Sequence, residues 1–406
     1  MPDSEVLTTP FVGRPPRFPR PVAFAVATVI LVLFQAASSA PAPLYVVYQR
    51  MWGFSSATLT LVFAVFAFGL LGSLLVLGPL SDRIGRRPVL AGSIALVAAA
   101  LLLFLTARDV TTLLIARVVQ GVATGMVLPA LGATLVDFDP PRAPGRAAVV
   151  NGVVPIAGLA IGALACGALA QYAPDPTHLV WALLLGAMLL AFLAVLGLPS
   201  SSAPRRRVPL SLPPRLSVPH GLRADVYPLF PVIASGWALG GLYLSLGPSV
   251  AATVFGISDH FLGGLVVTLL CGTGAVTAFA LRNRSSTMAL RTSLTLLTAG
   301  TTLTLVGLLA HSLAAAVAGT VVSGIGYGAS GLATFGALSK LAGPTQRGEL
   351  FAVAYTVAFL TFSLPAIAAG CAATMVGLWA TVVAYSLLVI LTGIVAFVLV
   401  LKPTRS

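Results

Sequence analysis

Apolar residues run through this chain in long unbroken stretches, with polar residues confined to short breaks between them. Runs of about 18 or more apolar positions recur from Pro21 to Val400, each long enough to cross a bilayer as α-helix. The pattern predicts twelve spans, at 21–43, 57–80, 88–106, 110–135, 146–171, 178–198, 226–253, 258–281, 287–310, 312–338, 350–373 and 377–401. An outer-membrane barrel would instead alternate apolar and polar residues over segments of about ten. The expected fold class is therefore all-α integral membrane, with both termini on one side.

Composition agrees. The chain is 58% hydrophobic and only 8% charged, with a mean hydropathy of +1.02, which excludes a soluble globule. All but Arg50, Arg108 and Arg117 of the 23 basic residues fall on one face. Because Lys and Arg stay on the cytoplasmic side, that face and both termini are expected inside, in the inner (plasma) membrane. The net charge of +13 then belongs to membrane-flanking loops facing anionic lipid, not to a nucleic-acid surface. Cys166, Cys271 and Cys371 all lie within predicted spans and read as packing residues; no disulfide, metal or cofactor is expected. Residues 14–40 have the outline of a signal peptide, but cleavage would leave eleven spans and break the charge asymmetry. They are kept as the first span. Residues 1–20, with five prolines, are expected to be a disordered cytoplasmic tail, and 402–406 a second tail.

Shifted by 203 residues, half its length, the chain aligns with itself without gaps. Gly53 meets Gly256, Val118 and Val119 meet Val321 and Val322, Gly121 meets Gly324, Gly125 meets Gly328, Pro141 meets Pro344, Gly145 meets Gly348 and Gly167 meets Gly370. The matches favour Gly and Pro, which control backbone geometry. This predicts two six-span bundles, 21–198 and 226–401, joined by an Arg- and Pro-rich linker at 199–225.

The densest knot of charge is Gly78–Pro88, GPLSDRIGRRP, between the second and third spans. The spacing of Gly78, Asp82, Arg83, Gly85, Arg86 and Arg87 resembles the signature loop of the major facilitator superfamily, with the twelve-helix drug:proton antiporters as the nearest group. The resemblance implies parallel six-helix halves with substrate bound between them near the midplane. It also implies that this loop is a conformational latch, in which Asp82 pairs with an arginine of its own loop and meets the start of the eleventh helix. The offset sets Asp82 opposite Ser285 and Arg83 opposite Ser286, so the second half lacks the acid.

Arg117 is the single basic residue deep inside a span. At the bilayer centre an arginine costs about 2.5–3.5 kcal/mol even on lenient scales, so it needs a wet cavity or a partner. Arg117–Gly125, RVVQGVATG, resembles the family's fourth-helix motif, which implies substrate binding or proton coupling for Arg117, with Gln120 and Thr124 on the same face. The alternative is a structural arginine bonded to carbonyls of the first helix. In the fifth span, Gly158, Gly162 and Gly167 resemble the antiporter motif, though Ala163 and Cys166 depart from it; close helix packing explains the same spacing. Further candidates for the cavity are Gln35 and Ser38 on the first span, Asn151 on the fifth, Trp237, Tyr243 and Ser245 on the seventh, and Ser323, Tyr327 and Thr334 on the tenth.

All ten carboxylates fall in tails, loops or span ends, so proton coupling cannot use a mid-membrane acid. The leading expectation is a monomeric secondary transporter exporting small amphipathic molecules, with protons as one option for the coupling ion. An importer or facilitator of sugars or organic anions is the alternative. A membrane enzyme or receptor ranks below both, because no nucleophile, base or metal constellation and no GxxxxGK[ST] phosphate loop is present.

Overall fold

The computed structural model describes residues 18–143, 145–199, 218–257, 259–341 and 347–401. Residues 1–17 of the expected N-terminal tail, the tail at 402–406, most of the linker at 199–225, and the repeat partner Pro344 lie outside these residues, while Arg20, expected in the tail, begins the first helix. Every regular element among them is helical: α1 (Arg20–Ser39), α2 (Pro41–Trp52), α3 (Ser56–Leu77), α4 (Leu80–Ile84), α5 (Arg86–Leu105), α6 (Val110–Asp137), α7 (Arg146–Tyr172), α8 (Pro176–Leu196), α9 (Arg223–Val226), α10 (Phe230–Ser245), α11 (Gly247–Val254), α12 (His260–Leu281), α13 (Ser286–Leu309), α14 (Leu313–Leu341), α15 (Arg347–Val376) and α16 (Leu378–Leu401). Twelve segments are long and apolar enough to cross a membrane, α1 and α2 counting together as one.

The helix starts follow from capping chemistry. Ser55, Asp109, Asp259 and Ser285 each accept a hydrogen bond from the backbone N–H three residues on, filling an amide that the first turn leaves without a partner. The bond from the Thr112 amide also holds the Asp109 carboxyl below its ordinary pKa. Across the repeat, Ser312 accepts from Ala315 just as Asp109 accepts from Thr112. Gly53 and Gly256 both take a left-handed conformation, at φ 67° and 68°, a geometry that favours glycine.

The first span runs farther than hydropathy suggests. It was expected to end at 43, yet the chain re-forms helix immediately after Ala40 and continues to Trp52. Pro41 and Pro43 sit in the first turn of α2, where a missing N–H does no harm. The seventh span breaks likewise at Leu246, ahead of Gly247 and Pro248.

Glycines set the tightest helix crossings, and they do so twice. A Cβ on Gly121 or Gly125 of α6 would strike the α3 carbonyls of Phe66 or Leu70. Their repeat partners Gly324 and Gly328 on α14 would strike the α12 carbonyls of Leu270 and Gly274. Between the halves of the sequence, α7 packs on α12 and α15 on α3. Gly167 lies against His260 and Gly264 in the first of these crossings, and Gly370 against Thr60 in the second. Cys166 and Cys271 are buried as packing residues, whereas Cys371 is exposed, so the expected packing role does not extend to it.

Candidate functional site

Arg117 is 1% exposed and makes three hydrogen bonds. Its guanidinium donates to the carbonyls of Ser38 (3.2 Å) and Val62 (3.4 Å) and to Gln120 Oε1 (2.6 Å), and lies 4.2 Å from the Phe66 ring centre. Gln120 Nε2 in turn donates to Ala37 O at 2.8 Å, and Thr124 donates to Gln120 O. The break in the first span explains why the Ala37 carbonyl is available. The i+4 partner of Ala37 O would be residue 41, a proline with no N–H. Arg117 thus bonds one first-span carbonyl, one α3 carbonyl and its neighbour Gln120, with Phe66 attracted to the cation.

At the arginine-rich end, Arg86 holds two acids. Its Nε donates to Asp137 at 2.6 Å and its NH1 to Asp82 at 3.3 Å. Asp82 thus pairs with an arginine of its own loop. Its side chain is 60% exposed against 29% for Asp137. The side chains at 342–348, through which it would meet the start of the eleventh span, lie outside the described residues. Gly85 ends α4 at φ 96°, which favours glycine, and Arg87 donates to Leu196 O at the end of α8. The loop therefore ties together the ends of α5, α6 and α8. Gly78 continues in right-handed helical geometry, and Arg83 makes no salt bridge among the described residues.

The three α7 glycines act as contact points. A Cβ on Gly158 would meet Gln35, and one on Gly162 would meet Ala36 and Ser39, both on α1; Gly167 faces α12. Gln35 Nε2 donates to Pro155 O at 3.3 Å, and Asn151 Nδ2 donates to Gly132 O at 3.3 Å, so both polar side chains link α7 to a neighbour. Ser38 Oγ turns back onto Phe34 O.

Trp237 belongs to a row of rings. Phe335 stands 5.0 Å from Tyr355, Tyr355 stands 6.4 Å from Phe359, and Phe359 and Phe362 flank Trp237 at 4.9 and 5.8 Å. Phe362 then meets Phe63 of α3 at 4.8 Å, carrying the row across the seam between the halves. Sequence reasoning missed all of these except Trp237; α15, which carries Tyr355, Phe359 and Phe362, was not counted among the lining helices. The signal was available: Phe351, Tyr355, Phe359 and Phe362 follow helical spacing along one stripe. Tyr327 packs over Gly240 and Gly274 instead of joining the row. Tyr243 turns toward α14, where its hydroxyl bonds Thr320 at 2.8 Å.

The model of the Major Facilitator Superfamily matches residues 26–364. The chain belongs to this superfamily. As a member it is a multi-pass membrane transporter. Among curated superfamily relatives, it is 36% identical over 193 residues to the puromycin resistance protein pur8 of Streptomyces alboniger, a match covering 47% of this chain and 37% of that one. It is 34% identical over 116 residues to the multidrug resistance protein MdtL of Shewanella sp. strain ANA-3, covering 28% and 29%. These matches span only about a third of the curated relatives' length. Among solved structures, a bacterial homologue of the human lysosomal transporter Spinster, inward-facing and unoccupied, superposes with a TM-score of 0.73 at 14% identity, over 95% of this chain and 98% of that one. The nucleoside transporter NupG gives 0.68 at 12% identity, over 92% and 100%. At such identities the two solved structures establish the fold alone.

Proposed function

We propose that this superfamily member exports small, neutral or weakly charged amphipathic molecules by alternating access. The bundles 21–198 and 226–401 rock about the α7–α12 and α3–α15 crossings, in the plasma membrane, with both termini cytoplasmic and the monomer as the working unit. The carrying observation is the aromatic row from Phe335 to Phe63. It runs from the arginine-rich end to the seam and offers ring faces and edges to a planar apolar ligand. Charge offers little in its place. The acids among the described residues sit at helix ends, and Arg117, the deep cation, already has three acceptors. A sugar or organic-anion site would need a polar or cationic wall that the row does not supply. The matches to a puromycin resistance protein and a multidrug resistance protein favour the same direction of transport.

At the arginine-poor end the halves are tied together. Gln171 accepts from the His260 amide at 2.9 Å, Thr374 accepts from the Ala57 amide at 3.3 Å, and α2 packs on α11 and α12. We read this as the outward gate, closed in this structure. The test is transport of a planar amphipathic dye into everted vesicles, with and without an imposed pH gradient. Export predicts accumulation that depends on the protein, and proton antiport predicts that collapse of the gradient abolishes it. Accumulation of the dye only in right-side-out vesicles would reject export.

A further inference from the structure

The second bundle contains a cavity separate from the seam between the halves. It is enclosed by α10 to α14 and α16 and comprises about 720 Å³ of empty space, counting its open mouth. Its lining is almost wholly aliphatic and aromatic and includes no charged residue. Its polar groups are hydroxyls, chief among them Tyr243 and Thr320, bonded to each other at 2.8 Å. Thr320 also bonds Ala316 O, four residues back. With the single Thr320 hydrogen spent there, Tyr243 donates to Thr320, and the Thr304 hydroxyl in the same wall, buried without a geometric hydrogen-bond partner, is left to accept from a ligand.

The internal repeat explains why the space exists. The first bundle fills the corresponding region with its bulkiest buried side chains. Trp181, Arg117, Tyr45, Tyr48 and Phe104 are each at most 2% exposed. Phe104 stacks on Trp181 at 4.4 Å, and Trp181 donates to the Tyr48 hydroxyl at 2.8 Å. At the offset of 203 these become Ala384, Thr320, Pro248, Ala251 and Gly307. Every replacement is smaller, and two of them, Thr320 and Ala251, line the cavity. At these two positions the second bundle leaves open what the first packs with Tyr48 and Arg117.

We propose that this cavity is a binding site for a neutral single-chain amphiphile, a hydrocarbon chain carrying one hydrogen-bond donor. Three observations specify that chemistry. The wall is mainly apolar with a few placed polar groups, the composition of small-molecule sites. An ionised ligand would be buried without a counter-charge, which is costly. Leu313 and Val317, at the mouth, are 47% and 40% exposed among apolar neighbours, so entry is from the hydrocarbon side. The site does not depend on the direction of transport or on the aromatic row.

The test is photolabelling of the full chain in membranes with a long-chain fatty alcohol bearing a mid-chain diazirine, mapped by peptide mass spectrometry. Label is expected at Val250, Leu269 and Ser386, which line the cavity, above the general labelling of bilayer-facing Leu391 and Leu387. Ala251→Phe, which restores a ring where the first bundle has one, should remove the cavity label and leave the bilayer-facing label in place. Val317→Phe does the same from the mouth, and its side chain lies on the outer face, where it does not threaten folding. Unlabelled alcohol should compete and the matching carboxylate should not. Absence of label at the cavity positions in the unmodified chain, or label that persists in both filled variants, overturns the site. Equal competition by the carboxylate overturns its neutrality. Dye transport measured in the same preparations reports separately on export.

Discussion

The Arg117 guanidinium donates to the Ser38 carbonyl at 3.2 Å, and Gln120, one turn further along α6, donates to the adjacent Ala37 O. Gln120 thus stands in for an amide that the broken first span does not provide. Removing the guanidinium leaves Ser38 O and Gln120 Oε1 short of a partner, at about 1–3 kcal/mol per buried group, against the relief of a buried charge. Arg117→Ala is expected to lower the thermal midpoint in detergent. Arg117→Lys should recover only part of the loss, because an ammonium cannot present the planar fork that reaches three acceptors. Thermal unfolding of the three proteins checks the order.

The same logic couples Gln120 to Pro41. Gln120→Leu should destabilise the chain, since it leaves Ala37 O with no donor. In a Pro41→Ala background the restored backbone N–H can serve that carbonyl, so the added cost of Gln120→Leu should fall by roughly 1 kcal/mol or more. A double-mutant cycle by thermal or chemical denaturation reads this directly, and strict additivity would reject the coupling.

Helix crossings give a second set of expectations. Gly328→Ala and Gly125→Ala place a methyl group against a facing backbone and should each cost about 1–3 kcal/mol. Gly72 and Gly186 face open space, so their alanine variants should be within about 0.5 kcal/mol of the parent. Thermal midpoints of the four variants separate the classes.

The twelve spans were legible because apolar runs are local signals. The extension of the first span to Trp52 was not: Pro41 and Pro43 read as breakers, whereas in the first turn of α2 they are tolerated. Arg117 was legible as a residue in need of a partner, and Ser38–Pro43 as the place to find one. Its three acceptors come from two other helices and its own turn, which spacing cannot show. The aromatic row escaped because it joins α3, α10, α14 and α15, although its α15 stripe lies open in the sequence. Tyr243 was placed on the seam by its helix alone; the direction of its side chain depends on the break at Leu246.

In the loop network, Asp137→Asn should impair transport more than Asp82→Asn. Arg86 lies nearer to Asp137 and the latter is the less exposed acid. Initial rates in vesicles, normalised to protein in the membrane, check this, and the opposite order would mean that Asp82 acts through a contact other than Arg86.

Trp237→Ala and Phe362→Ala should weaken binding of a planar dye by about 0.5–1.5 kcal/mol each beyond lost area, while Tyr327→Phe should have little effect. Dye affinity by fluorescence titration distinguishes the row from the rest of the seam.

The most direct measurement of the account is a pair of spin-label distances recorded on the same preparation. One pair joins positions 136 and 340 at the arginine-rich end, and the other joins 51 and 262 at the arginine-poor end, all exposed. Alternating access about the seam predicts two distance populations at each end that shift in opposite directions when dye is added. A single fixed distance at both ends, or populations that widen together, would contradict it.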